Sequence, residues 1–441
     1  MKRLRLLSLW VALSFMGSAT AMAQGYLIEV DEYSPSVYII AHDGGHKHDH
    51  ETLRLRVIDD YVETARHGFQ QSHKPHFIFA TPDNRISFAV GGMVNLRTSY
   101  DFNSVMGNID FVPYDIPMSE NYSNRQRVMM DASTSRLFVK AIFNNKLLGR
   151  IVVYGDMDFR GGEAFSYIPR LRSAYVQLKG FTVGRDVTTF CDLNAAPITV
   201  DFQGPNAYNF NFTEMIRYEH HLLRNHLTLG IAAEVPSVNG EYGEHFAPIS
   251  QRVPDGILYA QYAWGENRAS HIRVSGVIRD MYLHNVDKNS NTTQVGWGVQ
   301  LSGHIQATRW VDIYMNGVYG KGITPYIQDL AGSQYDVVYN PSNPKDIETL
   351  PMWGVQVAAQ VNILPGRAWV AGGCSMVSLE KNNGYLAKNQ YKSGSYIFGN
   401  IFCNVTKDLT MAVEYLHGAR KNMDDNKNSA NRVSLMVQYN F

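Results

Sequence analysis

The chain ends "NRVSLMVQYNF", residues 431–441, and the two residue sets interleaved in that stretch decide the fold. Val433, Leu435, Val437, Tyr439 and Phe441 alternate with Ser434, Met436, Gln438 and Asn440. A period of two puts the first set on one face of a strand and the second on the other. One face calls for an apolar surround and the other for water.

The same unit recurs upstream. Ile86, Phe88, Val90, Val94 and Leu96 alternate with Ser87, Ala89, Gly91, Met93, Asn95 and Arg97. Val295, Trp297, Val299, Leu301 and Ile305 alternate with Gly296, Gly298, Gln300, Ser302, His304 and Gln306. About sixteen such segments are predicted: 86–97, 134–144, 147–159, 171–180, 181–190, 211–222, 225–236, 255–265, 269–284, 292–306, 310–323, 351–364, 367–380 (ambiguous in register), 394–405, 408–420 and 431–441. Their length suits the ~9 to 11 residues that a tilted strand needs to cross a bilayer.

The joins are sorted by length. Short connections at 144–146, 179–180, 224–225, 265–268, 307–309, 365–366 and 406–408 are separated by long ones at 98–133, 191–210, 237–254 and 324–350. A β-sandwich has no reason to sort its loops in this way. The expected class is therefore all-β: a transmembrane antiparallel β-barrel of about 16 strands, with short periplasmic turns and long extracellular loops. A closed barrel has no free edge, so the last strand must pair with the first. Phe441 then falls in the interfacial belt, and it resembles the terminal aromatic by which outer-membrane proteins are recognised for insertion. Trp264, Trp310 and Trp369 lie near the short-turn ends of their strands and Trp297 and Trp353 near the long-loop ends, as aromatic belts at two interfaces require.

The opening residues carry Lys2, Arg3 and Arg5, an apolar run from Leu6 to Phe15, and small Ala21 and Ala23, which reads as a secretory signal peptide over residues 1–23. Its removal takes three of the 40 Lys and Arg and none of the 40 Asp and Glu, leaving a formal charge near minus three. That balance suggests no nucleic-acid partner. Cys191, Cys374 and Cys403 are odd in number and widely scattered, so they are no disulfide framework. Residues 24–85 read as a periplasmic, mostly flexible segment in which 51–66 suits a short helix. The barrel is expected over 86–441.

Within this frame three stretches resemble the DcaP-like trimeric porins. "LRSAYVQLKGFTVGRDVTTFCDLNAAPITVDFQGPNAYNFNFTEMIRY" (171–218) is similar to that family's strand, turn, strand and following loop, including Asp201, Phe202, Gly204 and Pro205 of its loop element. "VEYLHGARKNMDDNKNSANRVSLMVQYNF" (413–441) is similar to its last hairpin, and "SRLFVKA" (135–141) matches more weakly. The resemblance implies a sixteen-stranded trimeric diffusion channel of the outer membrane, for small anionic solutes such as dicarboxylates. Relatives often carry a periplasmic coiled coil, whereas residues 24–85 show no sustained heptads.

"HDGGHKHDH" (42–50) clusters four histidines, which can bind zinc or copper, but nothing there sets a geometry, so a polar periplasmic segment is expected and no metal or cofactor is assigned. No G-x-S-x-G, H-E-x-x-H or phosphate loop occurs, so no enzyme is expected. The expected functional surface is the lumen. Alternation places Arg97, Arg136, Lys140, Arg150, Arg217, Arg273 and Arg279 inward, together with Asp156, Asp158, Glu219, Glu234, Asp312 and Glu414. The loop at 191–210 is expected to fold inward as a constriction, with Arg185 and Asp186 at its start. Basic rings favour anions and acidic rings cations, and each such charge has a structural ion pair as its plain alternative. The expectation is an outer-membrane homotrimeric porin passing small hydrophilic solutes with a preference for anions. The alternative is a plugged barrel that binds partners through its extracellular loops.

Overall fold

Alternating faces become a wall only when every strand finds two neighbours, and in the computed structural model every one of them does. The structure describes residues 36–39, 50–71, 75–380 and 386–441. Among them, sixteen strands build the barrel in chain order: β1 (Ile86–Asn103), β2 (Arg136–Asn145), β3 (Gly149–Asp158), β4 (Arg170–Leu178), β5 (Phe181–Val187), β6 (Phe212–Leu222), β7 (Leu227–Glu234), β8 (Asp255–Trp264), β9 (Ser270–Asn285), β10 (Ser290–Thr308), β11 (Val311–Lys321), β12 (Pro351–Leu364), β13 (Ala368–Leu379), β14 (Tyr391–Asn404), β15 (Leu409–Asn422) and β16 (Lys427–Asn440). Each pairs antiparallel with its neighbours in sequence. β16 closes on β1, with Ser434 opposite Ser99 and Asn440 opposite Met93. Phe441 and Gly92 then exchange two backbone hydrogen bonds of 2.9 and 3.0 Å. A side chain at Gly92 would strike the Phe441 ring and the Arg136 carbonyl, so glycine lets the seam shut.

The two faces differ in the way the alternation demands. Outward residues such as Val94, Leu258 and Ile278 expose 58%, 64% and 63% of their surface, whereas inward Asp158, Ser302 and Glu414 expose none. An apolar skin continuous around the barrel has no place in water, where burial is worth about 25 cal/mol per Å². In hydrocarbon it costs nothing, while each backbone N–H and C=O is satisfied by the neighbouring strand.

The strand boundaries depart from expectation where alternation continues into hairpins that outrun the bilayer. β1 extends to Asn103, and the short strand Arg127–Asp131 pairs with that extension. β9–β10 and β15–β16 meet in tight turns at 286–289 and 423–426. Trp369 also departs: it turns inward and stacks on Phe402 with the ring planes 6° apart, so it belongs to no outer belt. The strand Phe77–Ala80 pairs with the start of β1 and, in parallel, with Ser36–Ile39.

Ahead of the barrel lies the helix α1 (His50–Glu63). Leu53, Val57 and Tyr61, spaced four apart, form its apolar stripe and pack on inward-facing Ala89, Ile142 and Val152. Residues 50–71 thus sit against the inner wall, with α1 covering most of the 51–66 stretch expected to form a short helix. The signal peptide and the histidine-rich residues 42–49 lie outside the described residues.

Candidate functional site

The loop between β5 and β6 enters the lumen, and its path is set by inward side chains that receive its backbone. Glu234 on β7 accepts bonds from the Thr188 hydroxyl and the Thr189 N–H, both 2.6 Å. Asp192 accepts from His271 Nε2 at 2.8 Å and from the Ser302 hydroxyl at 2.7 Å. Although burial raises the Asp192 carboxyl, the His271 bond and the charges of His271 and Arg273 bring it down to about 2. Glu414 on β15 accepts the N–H groups of Val200 (3.0 Å) and Asp201 (2.7 Å). Further round, Ser375 accepts the Ala207 N–H at 2.9 Å, and Asn316, Gln356 and Asn400 donate to the carbonyls of Ala207, Ala195 and Ile198. The loop thus crosses the bore and is fastened on its far side.

Opposite that fastening stands a charged wall made by β1 to β4 and β16. Arg97 Nη2 donates to Asp131 at 2.7 Å, and Arg172 lies 3.2 Å from Asp158 and 3.4 Å from Asp156. Arg432 Nε donates to Asp101 at 2.5 Å. Arg160, from the β3–β4 loop, forks onto Asp110. Burial raises the Asp110 carboxyl, but Arg160 and Arg97 hold it below its ordinary range. The loop meets these guanidinium groups with aromatic faces. Arg160 lies 4.5 Å from the Phe202 ring centre, and Arg172 lies 5.4, 5.7 and 4.9 Å from those of Phe202, Phe210 and Phe212. Such contacts reach about 2 kcal/mol when desolvated.

Most of the sequence-expected residues do face inward, and each is engaged. Arg136 donates to the Gln70 carbonyl (2.7 Å) and Lys140 to the Thr64 carbonyl (2.9 Å). Arg150 pairs with Asp60 and Glu63 of α1 at 2.6 and 2.7 Å. Asp186 is shared by Arg66 and, at 3.2 Å, by Arg217. Arg273 stacks 3.6 Å above the Tyr259 ring centre. Arg279 joins Asp255 (3.0 Å) to Asp336 (2.9 Å) and so holds the β11–β12 loop.

Arg185 is the exception to the expected lining. It shares the outward face with Phe181 and Val183 and pairs there with Glu214 at 2.7 Å, so it does not line the lumen. Arg172 and Arg432 were missed although alternation with Leu171 and Val433 points them inward. Arg66 and Arg160 lie in irregular segments where no period could reveal them.

Among the described residues, two of the cavities lie among the long loops. One of about 550 Å³ is lined by Asn108, Asp115, Arg160, Glu163 and Phe165. The other, about 470 Å³, is lined by Asn108, Tyr114, Asp115, Gln203, Glu241 and Gln328. A separate small space of about 10 Å³ lies beside Arg97, Asp131, Asp201 and Arg432, the room of roughly one water molecule. The chemistry on offer is recognition by charge and fit. Ser302 donates to Asp192 rather than to His271, so these three residues form no proton relay to a nucleophile. Among the described residues, no group of three or more His, Cys, Asp and Glu is placed to hold a metal ion.

Comparison with known proteins agrees with this geometry. No curated protein matches the chain. In fold it is similar to the crystal structure of the outer membrane channel DcaP of Acinetobacter baumannii, with a TM-score of 0.70 at 18% identity over 81% of this chain and 97% of that one. It is also similar to a loop L8 deletion mutant of OmpT, an outer membrane protein of Vibrio cholerae, with a TM-score of 0.52 at 11% identity over 81% and 100% of the two chains. A family model described as DcaP outer membrane protein matches residues 70–441. A closed sixteen-stranded barrel with an apolar skin, a charged lumen and that family match across most of its length make this chain a porin-type member of the DcaP outer membrane protein family.

Proposed function

We propose that the protein is a homotrimeric diffusion channel for small hydrophilic solutes and that it favours anions. Solutes collect in the two cavities among the long loops and pass along the wall that carries Arg97, Arg136, Lys140 and Arg172, with Arg160 and Arg432 above it. The observation that carries this reading is the crowding of guanidinium groups along one side of the lumen, where Arg97 and Arg432 together line one small space. Each guanidinium has five N–H donors and its carboxylate partner uses only some of them, so a passing carboxylate or halide finds donors still in place. The cavities themselves carry Asp115, Glu163 and Glu241, but selectivity is decided where a solute loses most of its water.

Reversal potentials in a potassium chloride gradient across planar bilayers test the reading. The expected sign is that of chloride selectivity, and a potassium-selective potential would overturn the anion preference. A folded protein that produced no conductance steps would overturn the channel itself and favour the plugged binding barrel.

A further inference from the structure

The residues that follow α1 run as a strap through the lumen, and the strap makes the contacts a solute would make. Arg136 Nη1 and Arg172 Nη2 both donate to the Gln70 carbonyl, at 2.7 and 3.1 Å, and Lys140 Nζ donates to the Thr64 carbonyl at 2.9 Å. Three buried cations on β2 and β4 are thus fed by two peptide oxygens. Arg66 in the strap pairs with Asp186 and lies 5.4 Å from the Tyr175 ring centre.

The strap is also seated against the inward loop. Phe69, wholly buried, packs edge-on to Tyr208 and Phe210 at 5.2 and 5.3 Å, and its N–H donates to the Leu193 carbonyl at 2.7 Å. Two glycines make that approach possible. Gly68, at φ 105°, would drive any Cβ to 2.3 Å from the Leu193 oxygen, and Gly204, at φ 70°, would put one 2.6 Å from the Phe69 ring.

We propose that residues 64–71 are an internal plug that competes with anionic solutes for Arg136, Arg172 and Lys140, so that solute binding and strap release are coupled. The inference rests on the anion-conducting reading above. When the strap leaves, Lys140 loses the Thr64 carbonyl while Arg136 and Arg172 lose the Gln70 carbonyl and keep the neighbouring Asp156 and Asp158, and desolvated charged donors left short of acceptors are costly. A carboxylate arriving from solution supplies those oxygens, and Arg217 stays on Asp186 in place of Arg66. The coupling runs both ways: whatever weakens the strap raises the apparent affinity for the solute, and the solute loosens the strap.

Planar-bilayer recordings of the full-length protein and of Gly68→Val and Phe69→Ala test this. Succinate serves as the anionic probe and glycerol as the uncharged one, with trypsin cleavage after Arg66 measured alongside. Both variants should spend about tenfold more time in a larger conductance level, the effect of 1.4 kcal/mol of lost seating. In the unaltered protein succinate should speed cleavage after Arg66 and glycerol should not.

Equal conductance in all three folded proteins, with cleavage indifferent to succinate, would overturn the plug while leaving the channel reading intact. Succinate-dependent cleavage without any conductance would keep the plug and overturn the channel. If neither variant folds, cleavage of the unaltered protein decides alone.

Discussion

The two halves of the barrel wall hold the lumen contents in different ways. From β1 to β4 the inward residues are Arg97, Arg136, Lys140, Asp156, Asp158 and Arg172, whereas from β10 to β14 they include Gln300, Ser302, Asn316, Gln356, Ser375 and Asn400. The first half meets the inward loop through aromatic rings and the strap through carbonyl oxygens. The second half holds the loop's own backbone through neutral side chains. Neutral hydrogen bonds are short-ranged and fix position, while charges act at a distance and attract. The difference teaches that two kinds of contact are separated: neutral side chains hold the loop's backbone on one side, and on the other stand the charged groups to which the proposed function assigns selection.

The largest effect should follow from breaking the charged half. Arg172→Ala takes one guanidinium from buried Asp156 and Asp158, which keep Arg136 and Arg170 beside them, a loss of about 1.5–3 kcal/mol for charged hydrogen bonds. A lowered urea midpoint in lipid vesicles checks it, together with a reversal potential shifted toward cations. A smaller effect is expected on the neutral half. Gln356→Leu removes one bond to the Ala195 carbonyl, worth about 1 kcal/mol, and leaves ion preference where it was. A shift of reversal potential in that variant would erase the distinction between the walls.

The smallest effect sharpens the comparison through pH. Burial and the neighbouring Asp110 charge push the Asp201 carboxyl up to about 6, and burial pushes Asp329 up to about 6 against the hydrogen bond from Tyr391. A carboxyl raised in the folded state binds its proton more tightly there than in the unfolded chain. Its contribution is therefore complete below the ordinary carboxylate range, near pH 4, and is lost as pH rises through about 6. Amide exchange across 188–211, corrected for its intrinsic pH dependence, should show the loop held more firmly near pH 4 than near pH 7.

The wall was legible in the sequence because hydrocarbon outside and water inside impose a period of two on every strand, and nothing else has to be known. Even so, Arg185 was placed by its nearness to the loop when its step from Phe181 and Val183 already put it outside. Trp369 was taken for a belt residue by height alone, and Phe402 draws it inward. The filling of the lumen was less legible. Inward folding of 191–210 could be expected, but its fastening depends on residues such as Glu414, more than two hundred positions away. The helix α1 left a trace in the four-residue spacing of Leu53, Val57 and Tyr61, yet Phe69 and Gln70 of the strap have no period at all. What they touch is fixed only when the barrel has closed around them.

The neutral bonds among the fastenings of the inward loop have a bearing on life in changing salinity. The Debye length falls from about 8 Å at physiological ionic strength to about 3 Å at 1 M, so the pull of the arginine wall on distant ions fades in brine. Amide-to-carbonyl bonds such as Gln356 to Ala195 carry no net charge and are indifferent to that screening. On the proposed anion-selective reading, concentrated salt would blunt the preference for charge while the loop holds, because its carboxylate anchors Glu234, Asp192 and Glu414 are buried where screening is weak.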